Sequence, residues 1–381
     1  MTPQDAGLLR CVAEIDGQAL RHNAAVAGRL AGGGPARVMA VVKAGAYGHG
    51  LALVAAALRE EIGAFAVACL AEALELKPHA VRARDGCCPP IFILSPALPW
   101  EMPEIVRHGF IPAISTVEEV RLFAALSTGK STAVHVVVDT GMGRMGALPG
   151  EAATLLRAVK ECPALSLDSV SSHFPASDED EDFTIGQEKH FRRLTDGWQE
   201  AFGPFRTHLA NSAGILHYPR VPGEMVRAGL MLYGVSPLPA YQALLRPVLT
   251  WKTRVTLVRR LPAGHGVSYG RTFLTAGLTT TAAIAAGYGD GYPRQVSGRQ
   301  GAAVLVCGQH CPILGRVTMD QMVIDVSALS TPPQPGDEAV LVGRQGGAEI
   351  SVQDIAGLAG TIPWQIFTGI TGRTGRVDRG F

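Results

Sequence analysis

The first 246 residues alternate short apolar runs with longer amphipathic stretches. The runs are rich in β-branched residues and have the length of buried strands. The stretches between them, such as "TVEEVRLFAALS", repeat apolar residues at helical spacing. Eight runs follow one another in this way: "RVMAVVK" ending at Lys43, "AFAVAC" at Cys69, "IFIL" at Leu94, "FIPAIS" at Ser115, "VHVVVDT" at Thr140, "SVSSHF" at Phe174, "THLANS" at Ser212 and "VRAGLMLYG" at Gly234.

Strict alternation of strand and helix predicts a parallel sheet, because a parallel crossover needs a long connection. Eight such units fit a closed (β/α)8 TIM barrel better than an open sheet. After residue 246 the chain changes to β-rich segments with Gly/Pro turns, such as "TWKTRVTLVRRL" and "GAAVLVCG". We therefore expect an α/β chain with a barrel at 12–246 and a mostly β domain at 247–381. The early run "CVAEID" fits a strand of either domain.

Composition narrows the class of partner. The chain has 381 residues, 47% of them hydrophobic, and a formal net charge of +1. The chain has no block of Lys and Arg and no long apolar run, so we do not expect nucleic acid or a membrane as a partner. We expect a small molecule instead. Seven cysteines without a C-x-x-C pair, and an N-terminus without a signal-peptide pattern, predict a reducing cytoplasm and no metal site.

Polar side chains fall where the predicted barrel strands end. In such barrels the functional groups gather at the C-terminal ends of the strands, whereas the strand interiors pack the core. Five side chains have this placement and should converge on one mouth: Lys43, Arg144, His173, Ser212 and Arg227.

The loops after strands seven and eight are the usual phosphate site of these barrels. Here they carry Ser212 and the backbone of Gly229 and Leu230. A mouth that holds a phosphate beside a lysine points to pyridoxal 5′-phosphate (PLP), whose aldehyde forms a Schiff base with an amine.

The segment "AVVKAGAYGHG" resembles the PLP-lysine segment of alanine racemases, a family of fold type III. The resemblance continues in order along the chain, so it is highly specific. The further blocks are "AEIDGQALRHN", "VHVVVDTGMGRMG", "SSHFPASDED", "HLANSAG", "MVRAGLMLYG", "GHGVSYGRTF", "GYGDGYPR", "GRVTMDQ" and "GTIPWQI".

The resemblance implies a role for each matching residue. Lys43 would carry PLP and act as one catalytic base, and Tyr269 would be the second base. Tyr269 would come from the β domain of the other subunit in a head-to-tail homodimer. Tyr47 and Ser212 would bind the phosphate.

Further roles follow from the same resemblance. Arg227 would face the pyridine nitrogen, with His173 as its partner, and Arg144 would lie beside the phenolic oxygen of the cofactor. Tyr288 and Met319 of the partner chain would crowd the substrate.

Two bases on opposite faces of a planar Cα centre are what racemisation needs. Free lysine and tyrosine have pKa values near 10 and are weak bases at neutral pH, so a cationic, desolvated site should lower both. An arginine will not protonate the pyridine nitrogen, which makes the cofactor a weaker electron sink and favours reprotonation over other PLP reactions.

Among the positions that depart from the family pattern, three carry an expectation about the site. Val137 stands where a lysine, often carbamylated, is common, so we hypothesise that chloride or another carboxylate supplies the anion beside Arg144. Gly45 replaces an asparagine and should make the loop after Lys43 more flexible. Trp364 replaces a tyrosine that reaches the phosphate, and we expect weaker PLP retention.

Other functions fit the same residues less well. "GMGRMG" at 141–146 satisfies the dinucleotide fingerprint G-x-G-x-x-G but lacks its strand–helix context and its later acidic residue. A broader-specificity or serine racemase stays open, as does a non-catalytic PLP-binding barrel protein, although a β domain argues against the latter. A role in D-alanine biosynthesis for peptidoglycan precursors cannot be separated by sequence from a catabolic one.

Overall fold

The computed structural model describes residues 9–218 and 224–379, which form two compact units. The barrel unit comprises 18–46, 54–218 and 224–246, and the β unit comprises 9–17, 47–53 and 247–379. These two units differ from the expected domains, 12–246 and 247–381, at 12–17 and 47–53.

The physical reason for both differences is hydrogen bonding to segments that are distant in sequence. Strand Val12–Ile15 pairs antiparallel with Leu249–Leu261 and parallel with Gly375–Asp378, so "CVAEID" belongs to the sheet of the β unit. The carbonyl of Gly48 accepts a hydrogen bond from Arg376 Nε at 2.9 Å, within the same unit. Short apolar segments cannot reveal such long-range partners.

Eight parallel strands form the sheet of the barrel unit, in the order β8-β7-β6-β5-β4-β3-β2-β9. A bridge between His208 and Met225 joins β8 to the chain before β9 and brings the ring to closure. The predicted barrel is confirmed. With Val12–Ile15 as β1, its strands are β2 (Val38–Val41), β3 (Ala64–Val67), β4 (Ile91–Pro96), β5 (Ile111–Ile114), β6 (Thr132–Val137), β7 (Leu165–Ser171), β8 (Arg206–His208) and β9 (Val226–Ala228).

Helices connect these strands, and residues next to the helix ends cap them. Thr116 and Glu119 form a reciprocal capping box, and Asp180 accepts from the Phe183 N–H at 2.9 Å. Gly109 ends its helix at a φ of 70°, a conformation that costs glycine little. The helices are α1 (Gly17–Leu30), α2 (Leu51–Leu58), α3 (Leu70–Leu76), α4 (Met102–His108), α5 (Val117–Leu126), α6 (Pro149–Lys160), α7 (Glu181–Phe202) and α8 (Ser212–His217).

The β unit is built on a nine-stranded sheet. The long β10 pairs with both β13 and β17, so six strands close a ring, while β1, β18 and β19 extend it. The predicted mostly β domain is confirmed. Its elements are β10 (Leu249–Leu261), β11 (Gly266–Val267), β12 (Phe273–Leu274), β13 (Thr279–Ile284), β14 (Ala303–Val306), β15 (Gln309–Leu314), β16 (Met322–Asp325), β17 (Glu338–Gln345), β18 (Ala348–Ile350), α9 (Val352–Ala359), α10 (Pro363–Gly369) and β19 (Gly375–Asp378).

The structure bears on membrane spans and on the state of the cysteines. Across 9–218 and 224–379, every helix is too short or too polar to cross a bilayer. All seven cysteines lie in these ranges, and each is a free thiol.

Asn23 on α1 ties the helix to the end of the barrel unit. Its amide donates to the carbonyls of Leu232 and Arg246 at 3.0 and 2.8 Å, and its oxygen accepts from the Arg246 N–H at 2.9 Å.

We predict that Asn23→Ala lowers the free energy of unfolding by about 3 kcal/mol, because buried backbone groups lose their partners. Gln18→Ala, at an exposed position of α1, is the control. Equal denaturation midpoints for the two variants would contradict this role.

Candidate active site

The predicted functional side chains of the barrel unit lie at one mouth, because all eight strands run in one direction. Arg227 Nη2 lies 2.9 Å from Nδ1 of His173, and the charges of Arg144 and Arg227 lower the pKa of both Lys43 and His173. Lys43 follows β2, Arg144 follows β6, His173 follows β7, Ser212 begins α8 and Arg227 lies on β9.

The chain after Lys43 winds into a left-handed turn. Ala44, Gly45 and Ala46 have φ values of 54°, 61° and 56°, and Tyr47 follows at 53°. The Ala46 N–H donates to the Val42 carbonyl at 2.8 Å. A left-handed conformation costs a non-glycine residue about 1–2 kcal/mol, so this turn persists only where the surroundings hold it.

Left-handed backbone at non-glycine residues is concentrated around Lys43 and Tyr269. Within the described ranges, Ala44, Ala46 and Tyr47 lie next to Lys43, while Ser268 and Arg271 flank Tyr269. The remaining instance, Cys307, lies in the hairpin turn between β14 and β15. Strained backbone clusters at functional sites, so the backbone singles out the two residues that the sequence named as bases.

Glu72 on α3 holds the left-handed turn from the side. Its Oε1 accepts from the Ala44 N–H at 2.7 Å, and its Oε2 accepts from the Ala68 N–H at 2.7 Å. One carboxylate therefore joins the loop after β2 to the loop after β3. Charge-assisted bonds of this kind are among the stronger hydrogen bonds in proteins.

Electrostatics favour the neutral amine of Lys43. Burial is the main cause that lowers the pKa of Lys43, and the cations of Arg144 and Arg227 lower it further, while Glu72 opposes them. A lowered pKa increases the fraction of free amine at neutral pH. That is the form that attacks a carbonyl or accepts a proton.

Arg227 is buried and its two terminal nitrogens are fully used. Nη1 donates to Nδ1 and to the backbone carbonyl of His208, at 2.7 and 2.8 Å. Nη2 bonds Nδ1 of His173 at 2.9 Å and the carbonyls of Ser172 and Leu209 at 2.7 and 3.0 Å. No residue in the described ranges engages Nε, so this N–H is the donor left for a ligand.

The donor-only chemistry of arginine assigns the neighbouring rings. Because guanidinium cannot accept, Nδ1 of His173 and of His208 must each carry a lone pair. Burial, then the cations of Arg227, Arg144 and Lys43, lowers the pKa of His173 to about 3. Burial lowers the pKa of Arg227 to about 10, so it stays cationic at neutral pH.

The glycine-rich loop after β6 does not offer its amides to a phosphate. The Asp139 Oδ1 accepts from the N–H groups of Gly141, Met142 and Gly143 at 2.9, 2.8 and 3.1 Å. This internal use of the loop argues against the dinucleotide reading. Arg144 on the same loop is exposed, and its side chain forms no ion pair within the described ranges.

Ser212 joins the loops after β8 and β9. Its hydroxyl oxygen accepts from the N–H groups of Gly229 and Met231 at 3.2 and 3.3 Å. Asn211 caps α8 through the Gly214 N–H at 2.9 Å. The Gly229 amide expected at a phosphate thus already has a partner, whereas the Ser212 hydroxyl retains its own proton to donate.

The remaining predicted residues belong to the β unit. Tyr269, Tyr288 and Met319 are exposed, by 71%, 40% and 51%. The Tyr288 N–H donates to the Thr318 carbonyl at 3.0 Å, and the Ser268 hydroxyl donates to the Arg316 carbonyl at 2.6 Å. The three side chains therefore stand on adjoining loops of one unit.

Tyr47 and Trp364 lie on two elements of the β unit that pack together. The Phe367 carbonyl of α10 is 2.1 Å from the position a Cβ would take at Gly48, so only glycine fits there. Burial raises the pKa of Tyr47 to about 12, which keeps the phenol protonated and able to donate. Trp364 is half-buried on α10.

Sequence reasoning missed Glu72 and His208. Glu72 stands in the first turn of α3, directly after a barrel strand, and an acid at that place was a usable signal. His208 lies inside the run "THLANS", where only Ser212 was singled out. Nothing in the sequence indicated that its ring meets Arg227 across 19 positions.

We predict that Glu72→Ala lowers the free energy of unfolding by about 2 kcal/mol, because two N–H groups lose a charged acceptor. The same change should lower the pKa of Lys43 further, since Glu72 raises it. The pH dependence of Lys43 modification by an amine-reactive reagent measures the second effect. Glu72→Gln, which retains an acceptor, should move the pKa with a smaller loss of stability.

Glu75→Ala, exposed on the same helix, is the matched control. If Glu72→Ala behaves like that control in both measurements, Glu72 does not hold the turn.

Comparison with known proteins covers almost the whole chain. The family profile "Alanine racemase, N-terminal domain" matches residues 15–237, and "Alanine racemase, C-terminal domain" matches 248–378. An alanine racemase of Symbiobacterium thermophilum is 39% identical over 96% of this chain and 96% of its own.

Solved structures agree in fold. The alanine racemase of D-cycloserine-producing Streptomyces lavendulae has a TM-score of 0.88 at 34% identity, covering 100% of this chain and 98% of its own. That of Bacillus anthracis, solved with bound L-Ala-P, has a TM-score of 0.85 at 32% identity, covering 98% and 95%. The resemblance drawn from the sequence blocks is confirmed: the chain belongs to the alanine racemase family.

Proposed function

We propose that this protein interconverts L- and D-alanine with PLP held at the mouth of the barrel unit. The observation that carries the proposal is the bonding of Arg227, a fixed cation whose one unengaged donor is Nε. An arginine facing the pyridine nitrogen cannot give it a proton, and this favours return of a proton to Cα over transamination.

The residues at the mouth fit this cofactor. Lys43 offers an amine of lowered pKa, Arg227 offers one N–H, and Ser212 offers a hydroxyl proton on the joined loops. We assign Tyr47, Ser212, Gly229, Leu230 and Trp364 to the phosphate, by the family pattern. When bound, PLP withdraws electrons from the amino acid and makes its Cα proton acidic.

The chain's own residues move that proton. Lys43 Nζ takes or returns it on one face of Cα, and Tyr269 Oη does so on the other. The charges of Arg144 and Arg227 lower the pKa of Lys43, so its neutral amine is available to take the proton and its ammonium form gives a proton up readily. Without two bases on opposite faces, the same enantiomer would be regenerated.

Alanine is the substrate we assign, because Tyr288 and Met319, assigned to the substrate side by the family pattern, are large side chains that leave room for a small one. Discrimination by a few contacts is limited, so serine is the next substrate to examine. The non-catalytic barrel alternative is not supported, since the second family domain spans 248–378. The free state of all seven cysteines supports the cytoplasm as its location.

Exposure of Tyr269, Tyr288 and Met319 supports a homodimer with shared sites. These three large, exposed side chains on adjoining loops of one unit form a surface that a second copy of the chain can cover. In a head-to-tail dimer, Tyr269 of the partner subunit would serve the Lys43 of the first.

We predict that Lys43→Ala and Tyr269→Phe each reduce alanine racemisation by about 10²–10⁴-fold, the typical contribution of a general acid or base. Optical rotation of L-alanine and of D-alanine gives the rates in both directions. Tyr241→Phe, which removes a hydroxyl hydrogen-bonded to His217, is the control and should retain activity. Full racemisation by either variant would refute the two-base proposal.

Mixing the two inactive variants tests whether sites are shared. In a shared dimer, a Lys43→Ala chain paired with a Tyr269→Phe chain assembles one intact site, so random pairing restores about a quarter of wild-type activity. Sites contained within single chains would restore none.

Arg144 is the basis of a separate proposal. Val137 cannot supply the anion that a carbamylated lysine would, and Arg144 forms no ion pair within the described ranges. We propose that a halide binds beside it. A bromide-soaked crystal should give an anomalous peak at Arg144 and none at the exposed Arg157, with activity dependent on chloride. Halide-independent kinetics without such a peak would refute the site.

A further inference from the structure

Three of the buried polar atoms that lack a hydrogen-bond partner in the described ranges lie on neighbouring strands of the barrel unit. They are Nδ1 of His135, Oγ of Ser169 and Nε2 of His208. Each of these residues is at most 1% exposed. Buried polar atoms are almost always paired, so a group of three needs a physical explanation.

Strand register brings the three side chains to one face. His135 on β6 pairs with Ser169 on β7, and His208 on β8 pairs with Ser171, two residues further along β7. Residues paired across strands, and residues two apart on one strand, share a face. The two rings are 5.5 Å apart between centroids, and both contact the Phe92 ring, which places them together inside the barrel.

Their hydrogen-bonding capacities are complementary. His208 must carry its proton on Nε2, because Nδ1 accepts from Arg227 at 2.7 Å. His135 must carry its proton on Nε2, which faces the Ile93 carbonyl at 3.1 Å, so its Nδ1 is an acceptor. Ser169 can donate or accept. One donor, one acceptor and one hydroxyl are the set that a single water molecule satisfies.

We propose that His135 Nδ1, Ser169 Oγ and His208 Nε2 bind one buried water molecule, which holds His208 in the tautomer that accepts from Arg227. The relay runs from the Ile93 carbonyl through His135, the water and His208 to the guanidinium. His135 and Ser169 are thereby positioning residues for Arg227, a consequence that rests on the proposed function.

Both rings remain neutral in this relay. Burial and the Arg227 cation lower the pKa of both histidines, that of His135 to about 4, while the charge of Asp168 acts in the opposite sense on His135. Asp168 is itself paired with Arg206. A neutral His208 with a free Nδ1 lone pair is the state that Arg227 requires.

The first test is a high-resolution crystal structure of the full chain. We expect a density peak at about 2.7–3.2 Å from all three atoms. Direct contacts among the three atoms without that peak would overturn the water site.

The second test reads the tautomer by ¹⁵N NMR of histidine-labelled protein, with and without PLP. We expect His208 to be unprotonated at Nδ1 and protonated at Nε2 in both samples. A protonated Nδ1 would overturn the relay. Because the cofactor-free sample answers this question, failure of the relay is distinguishable from failure of the proposed racemase.

Variants link the relay to Arg227. Ser169→Ala should abolish the water peak, shift the His208 Nε2 resonance and lower kcat/KM about three- to tenfold, as expected for one lost hydrogen bond. His135→Phe should let His208 populate the other tautomer, which turns an N–H toward Arg227. Ser166→Ala, at an exposed position of β7, is the control. An unchanged His208 spectrum in both Ser169→Ala and His135→Phe would overturn the proposal.

Discussion

The buried guanidinium of Arg227 is the interaction on which the arrangement of the barrel mouth depends. It can only donate, so every group around it must accept, and the protein meets this with three carbonyls and two imidazole lone pairs. The acceptors come from the ends of β7 and β8. One side chain therefore fixes two loops, the tautomers of His173 and His208, and the direction of its remaining N–H.

A second constraint is stored in the backbone. The left-handed turn after Lys43 costs about 1–2 kcal/mol at each non-glycine residue, and positive φ values also occur on both sides of Tyr269. Around the first turn the cost is offset by specific partners, Glu72 at Ala44 and Arg376 at Gly48. The result is that Lys43 leaves its strand in a defined direction instead of on a mobile loop.

Departures from the family pattern change the supporting groups more than the core of the site. Gly45 has a φ of 61°, which glycine and asparagine both tolerate, so either residue is compatible with this turn. Val137 carries no charge, and its carbonyl accepts from the Ala147 N–H at 2.9 Å. Trp364 lies on α10, and the backbone carbonyl of Phe367 on the same helix packs against Gly48.

The sequence by itself determined the alternation of strands and helices, hence the barrel, the β-rich second half, and the strand-end positions of Lys43, Arg144 and His173. These follow from local periodicity and from the common direction of parallel strands. Only the tertiary structure decided that β1 and residues 47–53 join the β unit, that the chain after Lys43 is left-handed, and that Glu72 and His208 contact Ala44 and Arg227. Such features depend on partners distant in sequence, and local pattern carries no information about which distant groups will meet.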